Sequence, residues 1–171
     1  MALLLLPCQT EQGFELTLGT NVLGTIYLTQ RLLPLLEAGA PSRVVVLSSE
    51  LARMSSAVPL QDLGGEKLSS SAMAEYALSK LCDALYAVAF SARYASRGVL
   101  AVSTHPGVVA TELAGKAQPG CCSGSLLSCG AMIACTPEEG ARSSLYAATV
   151  PGLKGARSAR RALSSACMRM H

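Results

Sequence analysis

Two short Val-rich runs constrain the fold of this chain more than any other feature. Arg43-Val-Val-Val-Leu47 and Val99-Leu-Ala-Val-Ser103 are continuous, with Ala40-Pro41-Ser42 before the first and Gly98 before the second. Runs of this kind suit strands buried on both faces, as in a parallel sheet covered by helices on each side. Between them, Leu78, Leu81, Leu85, Val88 and Ala89 recur at helical intervals, which predicts a helix over Ala72 to Ser96. Gly98 stands where a left-handed C-cap would close it. Thr10 to Glu37 reads as an earlier helix, with Thr10 as its N-cap and Glu11 in its first turn. Pro34 predicts a kink or a weak point in that helix. Thr136-Pro137-Glu138-Glu139 opens a last helix running to about Thr149, with a cap, a first-turn proline and acids at the positive end of the dipole. Helix, strand, helix, strand, helix implies parallel crossovers, hence a doubly wound α/β fold.

Composition narrows the classes. With 171 residues, 50% hydrophobic and 15% charged, the chain suits one domain and not a disordered one. No run of about 18 apolar residues occurs, so a membrane span is not expected. The net charge of +3 is uneven: Lys154, Arg157, Arg160, Arg161 and Arg169 lie in the last eighteen residues, and residues 1–153 carry a net −2. A nucleic-acid binder carries its basic patch on the fold, so no nucleic-acid partner is expected. A rival reading, a basic tail that binds membranes or RNA, predicts salt-sensitive binding lost on deleting 154–171. The seven cysteines contain no C-x-x-C, and His105 and His171 are too few and too badly spaced for a zinc site, so no metal is expected. An odd number of cysteines fits free thiols in the cytoplasm or another reducing compartment. Met1–Leu6 is apolar but lacks the basic start of a secretory signal.

The chemistry-bearing residues gather where ligands bind in such sheets, past the carboxyl ends of the strands. Ser49 follows the first strand, and His105 to Thr111 follow the second. Tyr76 and Lys80 are spaced i,i+4 on the helix between, one turn apart on one face. An ammonium beside a phenol favours phenolate, and a phenol tuned that way exchanges a proton with a carbonyl or alcohol oxygen. A nearby serine hydroxyl can hold the same oxygen, with Ser48 a rival to Ser49. Tyr-x-x-x-Lys alone would also describe a solvated surface pair. His105 reads as turn or packing chemistry.

Taken together, Asn21-Val-Leu-Gly24, Val44-Val-Val-Leu-Ser48-Ser49, Tyr76-Ala-Leu-Ser-Lys80 and His105-Pro-Gly-Val-Val-Ala-Thr111 resemble, in order, four motifs of the short-chain dehydrogenase/reductase family. Gly13-Phe14-Glu15, Ala40-Pro41-Ser42-Arg43, the long Ser49–Tyr76 insertion with Asp62-Leu63, and His105-Pro106-Gly107 resemble its retinol-dehydrogenase-like branch. The resemblance implies a partial Rossmann-type sheet, about two to three strands with flanking helices, over residues 1–153. Residues 154–171 are expected to form a basic, disordered tail. It implies hydride transfer between NAD(P)(H) and an alcohol or carbonyl, on a retinoid, steroid or other lipid-like substrate. Tyr76 would be the acid/base, Lys80 would lower its pKa and bind the nicotinamide ribose, and Ser49 would position the substrate oxygen. Asn21 would hold a water relaying protons from Lys80. Pro106, Gly107, Val109 and Thr111 would cradle the nicotinamide carboxamide and a phosphate.

The chain departs from the family in one respect that matters physically. No G-x-x-x-G-x-G or G-x-G-x-x-G occurs, and that loop with its helix N-terminus binds the pyrophosphate. The resemblance begins after the family's fourth strand, so the expectation is a chain without the N-terminal cofactor-binding half, and a poor enzyme alone. The alternative is a catalytically impaired fragment that acts by pairing, as a homo- or heterodimer, through the helices near 10–37 and 72–96.

Overall fold

The computed structural model describes residues 9–55, 72–109 and 135–153. The apolar run at Met1–Leu6, Asp62-Leu63, Thr111, most of the Gly/Ser/Cys-rich stretch and the 154–171 tail lie outside the described residues. The helical region begins with α1 (Leu16–Leu18), continues through a π-helical turn (Gly19–Leu23) and runs on as α2 (Gly24–Ala38). Then come β1 (Ser42–Leu47), a 3-10 turn (Glu50–Met54), α3 (Ala72–Tyr94), a second 3-10 turn (Ala95–Arg97), β2 (Val99–Thr104) and α4 (Pro137–Thr149).

The strands pair in parallel, from Ser42 opposite Val99 to Leu47 opposite Thr104. Side chains alternate across the pleat, so each strand feeds two cores. On one face Val46, Val99 and Ala101 pack with Ala87, Phe90 and Tyr94 of α3, against which Leu33 and Leu36 of α2 also lie. On the other, Val102 and the half-buried Val45 meet Ala147 and Val150 at the end of α4, and Leu153 beyond it. A helix layer on each face is what an uninterrupted β-branched run requires. The protein is α/β, as its residues imply.

Particular side chains pin the layers. Arg43 donates to the carbonyls of Ala147 and Val150, placing a cation at the negative end of α4. The Ser91 hydroxyl both donates to the carbonyl of Ala101, at 2.7 Å, and accepts from its N–H, at 2.8 Å, joining α3 to the middle of β2. Gly98 turns the chain into β2 at φ +78, where a Cβ would sit 2.8 Å from that of Ala40. Thr136 and Glu139 form a full capping box, with Pro137 in the first turn of α4.

Three expectations change. Thr10 does not cap the first helix: its hydroxyl accepts from Phe14 N, and the cap is Glu15, whose two carboxylate oxygens each accept at 2.7 Å from the N–H groups of Thr17 and Leu18. A carboxylate spans two orphan donors where a hydroxyl spans one. Pro34 does not break the region, because α2 runs through it to Ala38; the irregularity lies at Gly19–Leu23 instead, where Gly24 N–H reaches back to Gly19 O. Finally, only β2 is buried along most of its length. β1 is half-buried, with Val46 enclosed and Leu47 49% exposed, since among the described residues its only ladder is with β2 and its far edge stays open.

Candidate active site

Leu47 and Thr104 stand opposite each other in register, so the segments after β1 and β2 leave the same edge of the sheet. Ser48 continues the ladder, its N–H donating to Thr104 O. Its hydroxyl donates to the main-chain carbonyl of Lys80 at 2.7 Å, which ties the strand end to α3. Ser49 is therefore the serine that meets Tyr76. It caps the Glu50–Met54 turn by accepting from Leu51 N, and its hydroxyl hydrogen-bonds the Tyr76 phenol.

Lys80 is buried, and its Nζ donates to Leu47 O at 2.9 Å and to Asp83 Oδ2 at 2.7 Å. It lies 5.8 Å from the centroid of the Tyr76 ring. The expected downward pull on the phenol is not what this geometry delivers. Burial pushes the Tyr76 pKa above its ordinary 10.0, the Ser49 hydrogen bond pulls it back, and the negative charge of Asp83 pushes it up again.

Asn21 lies in the π-helical turn and is buried. Its Nδ2 donates to Ser79 Oγ at 3.2 Å, and Ser79 Oγ donates to Tyr76 O at 2.8 Å. Asn21 thus reaches the Tyr76–Lys80 turn of α3 through the serine between them. A π-turn inside a helix often marks a functional position, and here it carries the asparagine.

Ser49, Tyr76, Lys80 and Asn21 form one linked group. Pro106, Gly107 and Val109 are grouped differently, one strand over past β2, held by α4. Gly107 takes φ +85, Cys135 N–H donates to Val108 O at 2.8 Å, and Val109 bridges Cys135. Val109 also fits against Gly140 of α4, where a Cβ would lie 2.5 Å from Val109 Cγ2. His105 is exposed at the start of this turn. Sequence reasoning missed Asp83 and Ser79, although both lie within a turn of Lys80 and the i,i+3 spacing of Lys80 and Asp83 is a readable signal. No cluster of potential metal ligands occurs among the described residues, and none of their helices is long and apolar enough to cross a membrane.

The parallel strand pair thus presents its carboxyl ends to a serine, a tyrosine and a lysine. No family model matches the chain. Retinol dehydrogenase 11 of Mus musculus is 38% identical over 146 residues, which are 85% of this chain and 45% of that protein. Retinol dehydrogenase 12 of Homo sapiens shows the same 38% over 146 residues, and retinol dehydrogenase 13 of Mus musculus 41% over 104 residues, 61% of this chain and 31% of its own length. The chain spans less than half the length of these curated relatives. The crystal structure of NADPH-bound carbonyl reductase from chicken fatty liver shares the fold, with a TM-score of 0.54 at 21% identity, over 80% of this chain and 49% of that one. These curated relatives are retinol dehydrogenases of the short-chain dehydrogenase/reductase family, and the chain is homologous to the portion of them that it spans.

Proposed function

We propose that this chain carries the proton-handling end of an NAD(P)-dependent oxidoreductase that interconverts an alcohol and a carbonyl, with Tyr76 as the acid/base. The convergence of the Ser49 hydroxyl, the Tyr76 phenol and the Lys80 ammonium at the carboxyl end of β1 carries the reading. The names of the relatives favour a retinoid or other lipid-like substrate.

The residues present fit the nicotinamide-ribose end of the cofactor. Among the described residues Lys80 commits two of its three N–H groups, to Leu47 and Asp83, and the third would serve a ribose hydroxyl. Pro106, Gly107 and Val109, with Thr111 beyond the described residues, would face the carboxamide. For the pyrophosphate the sequence offers no glycine-rich loop. When bound, the cofactor supplies or accepts the hydride. Ser49 would hold the substrate oxygen, and Tyr76 would give that oxygen its proton in reduction and take it back in oxidation. Asn21 would hold the water through which Tyr76 and Lys80 are resupplied. A phenol held above its ordinary pKa stays protonated through neutral pH, so the site is poised for carbonyl reduction. That rate should stay level through neutrality and fall as pH rises past the raised Tyr76 pKa.

The test is NADPH and NADH oxidation with retinal, by the wild-type chain and by Tyr76→Phe, on the longest natural chain available. Losing a positioned proton donor costs about 10²–10⁴-fold. Equal rates in the two proteins would refute the assignment.

A second reading, pairing with an intact relative, is favoured by apolar side chains facing outward on both long helices: Tyr27, Leu28 and Leu35 on α2, Leu85 and Val88 on α3. Sedimentation of the chain with and without a full-length relative separates the two.

A further inference from the structure

The least expected group near Tyr76 is a second buried charge. Asp83 is 2% exposed and Lys80 4%. Moving an isolated ammonium into a protein interior is costly, and a lone buried lysine answers by losing its proton. The pair is held from three sides: Asp83 Oδ2 at 2.7 Å from Nζ, Leu47 O at 2.9 Å, and Ser48 Oγ on the Lys80 carbonyl. These contacts aim Nζ at the carboxyl end of β1, where Ser49 and Tyr76 meet.

We infer that Asp83 is a positioning residue that keeps Lys80 an ammonium and fixes its direction at the end of β1. The inference rests on the oxidoreductase reading only for what the ammonium is then used for. The titratable groups that sense the pair are Tyr76 and Cys82, both on α3, and the carboxylate pushes both upward. From the other elements, Ser49 and Asn21 are neutral, Glu15 at the start of α1 acts on Glu75, and Glu50 in the 3-10 turn acts on His105. Asp83 itself is pushed up by burial and drawn back by Lys80, as expected of a carboxylate that has left water for a single partner.

The full 171-residue chain has four lysines, so their ¹³Cε signals are resolvable once Lys80 is assigned with Lys80→Met. In Asp83→Asn an acceptor oxygen remains beside Nζ and only the charge is removed. The Lys80 ¹³Cε signal should leave its wild-type position at neutral pH, its nuclear Overhauser contacts with Leu47 should weaken, and Asp83→Glu should restore both. The wild-type chain gives a check that needs no variant: the Lys80 signal should show a second step in acid, above the ordinary aspartate value of 3.8, where Asp83 takes up its proton. An unchanged Lys80 signal and unchanged contacts in Asp83→Asn overturn the inference, as does a missing acid step if that variant does not fold. NADPH titrated into the same wild-type sample, followed by its fluorescence, keeps the two ideas apart. Absence of binding removes the use assigned to Lys80 and leaves its dependence on Asp83 standing. Binding without that dependence does the reverse.

Discussion

The two halves of α3 lie at similar depth and differ in what they bury. The first buries Glu75, Ser79, Lys80 and Asp83 beside Ala77 and Leu78; the second buries Ala87, Phe90 and Tyr94 with one polar residue, Ser91. In the second half, Phe90 sits between Tyr86 and Tyr94, with ring centroids 5.6 and 4.6 Å away, and this stack closes the core against β2. Buried apolar area favours folding directly. Buried charge opposes it and is tolerated only when paired, and even a paired charge is weak evidence of stability. One end of the helix therefore holds the fold together. The other is a cost that the first end offsets, and it leaves Tyr76 and Lys80 fixed at a strand end.

The contrast is broken most severely at Phe90. Phe90→Ala should cost about 3–5 kcal/mol, a large share of the ~5–15 kcal/mol typical of a domain. Urea unfolding of the full chain measures it. A cost well under ~1 kcal/mol would mean that the aromatic stack is not the keystone of the apolar half. Ser91→Ala is next. It removes the single hydroxyl serving both the N–H and the carbonyl of Ala101 and leaves those groups buried without it, so about 1–3 kcal/mol should go. Hydrogen exchange at Ala101 should rise relative to Val99. Unaltered protection at Ala101 would show that water replaces the serine there.

The apolar half was the more legible in the sequence. β-branched runs located both strands to within a residue or so, and helical spacing located α3, because burial of hydrophobic side chains leaves a periodic record. The α4 start was readable for a different reason: Thr136, Pro137 and the two glutamates are local chemistry that tertiary contacts did not override. In the polar half, Ser49, Tyr76 and Lys80 were found from motif and order, and their meeting depends on a crossover that the order implied. The unread part was what each polar group does with its remaining valence. The i,i+3 spacing marks Lys80 and Asp83 as a pair, but it does not distinguish a buried pair from a solvated one. Nor does any pattern show that Glu15 displaces Thr10 as the cap, or that the chain widens to a π-turn at Gly19–Leu23 and then passes straight through Pro34. Those outcomes are set by which donors and acceptors are left over after the helices dock.

The smallest effect carries the opposite sign and sharpens the comparison most. Glu75 is buried at the start of α3, and burial together with the charge of Glu15 raises its pKa above the ordinary 4.5. Below 4.5 it is protonated in the folded and unfolded chain alike, and it adds no penalty. As pH rises through the raised folded value, the folded state must carry a buried negative charge that the unfolded chain carries in water, so this contribution to stability is lost. Glu75→Gln keeps the shape and removes the charge. It should therefore raise the melting temperature modestly at neutral pH, with the gain closing as pH falls toward 4.5. Coincident melting curves for the two proteins at every pH would show that Glu75 finds compensation in the folded state. A gain confined to neutral pH would mean that the polar end of α3 retains a carboxylate against its own stability, which packing alone gives no reason to do.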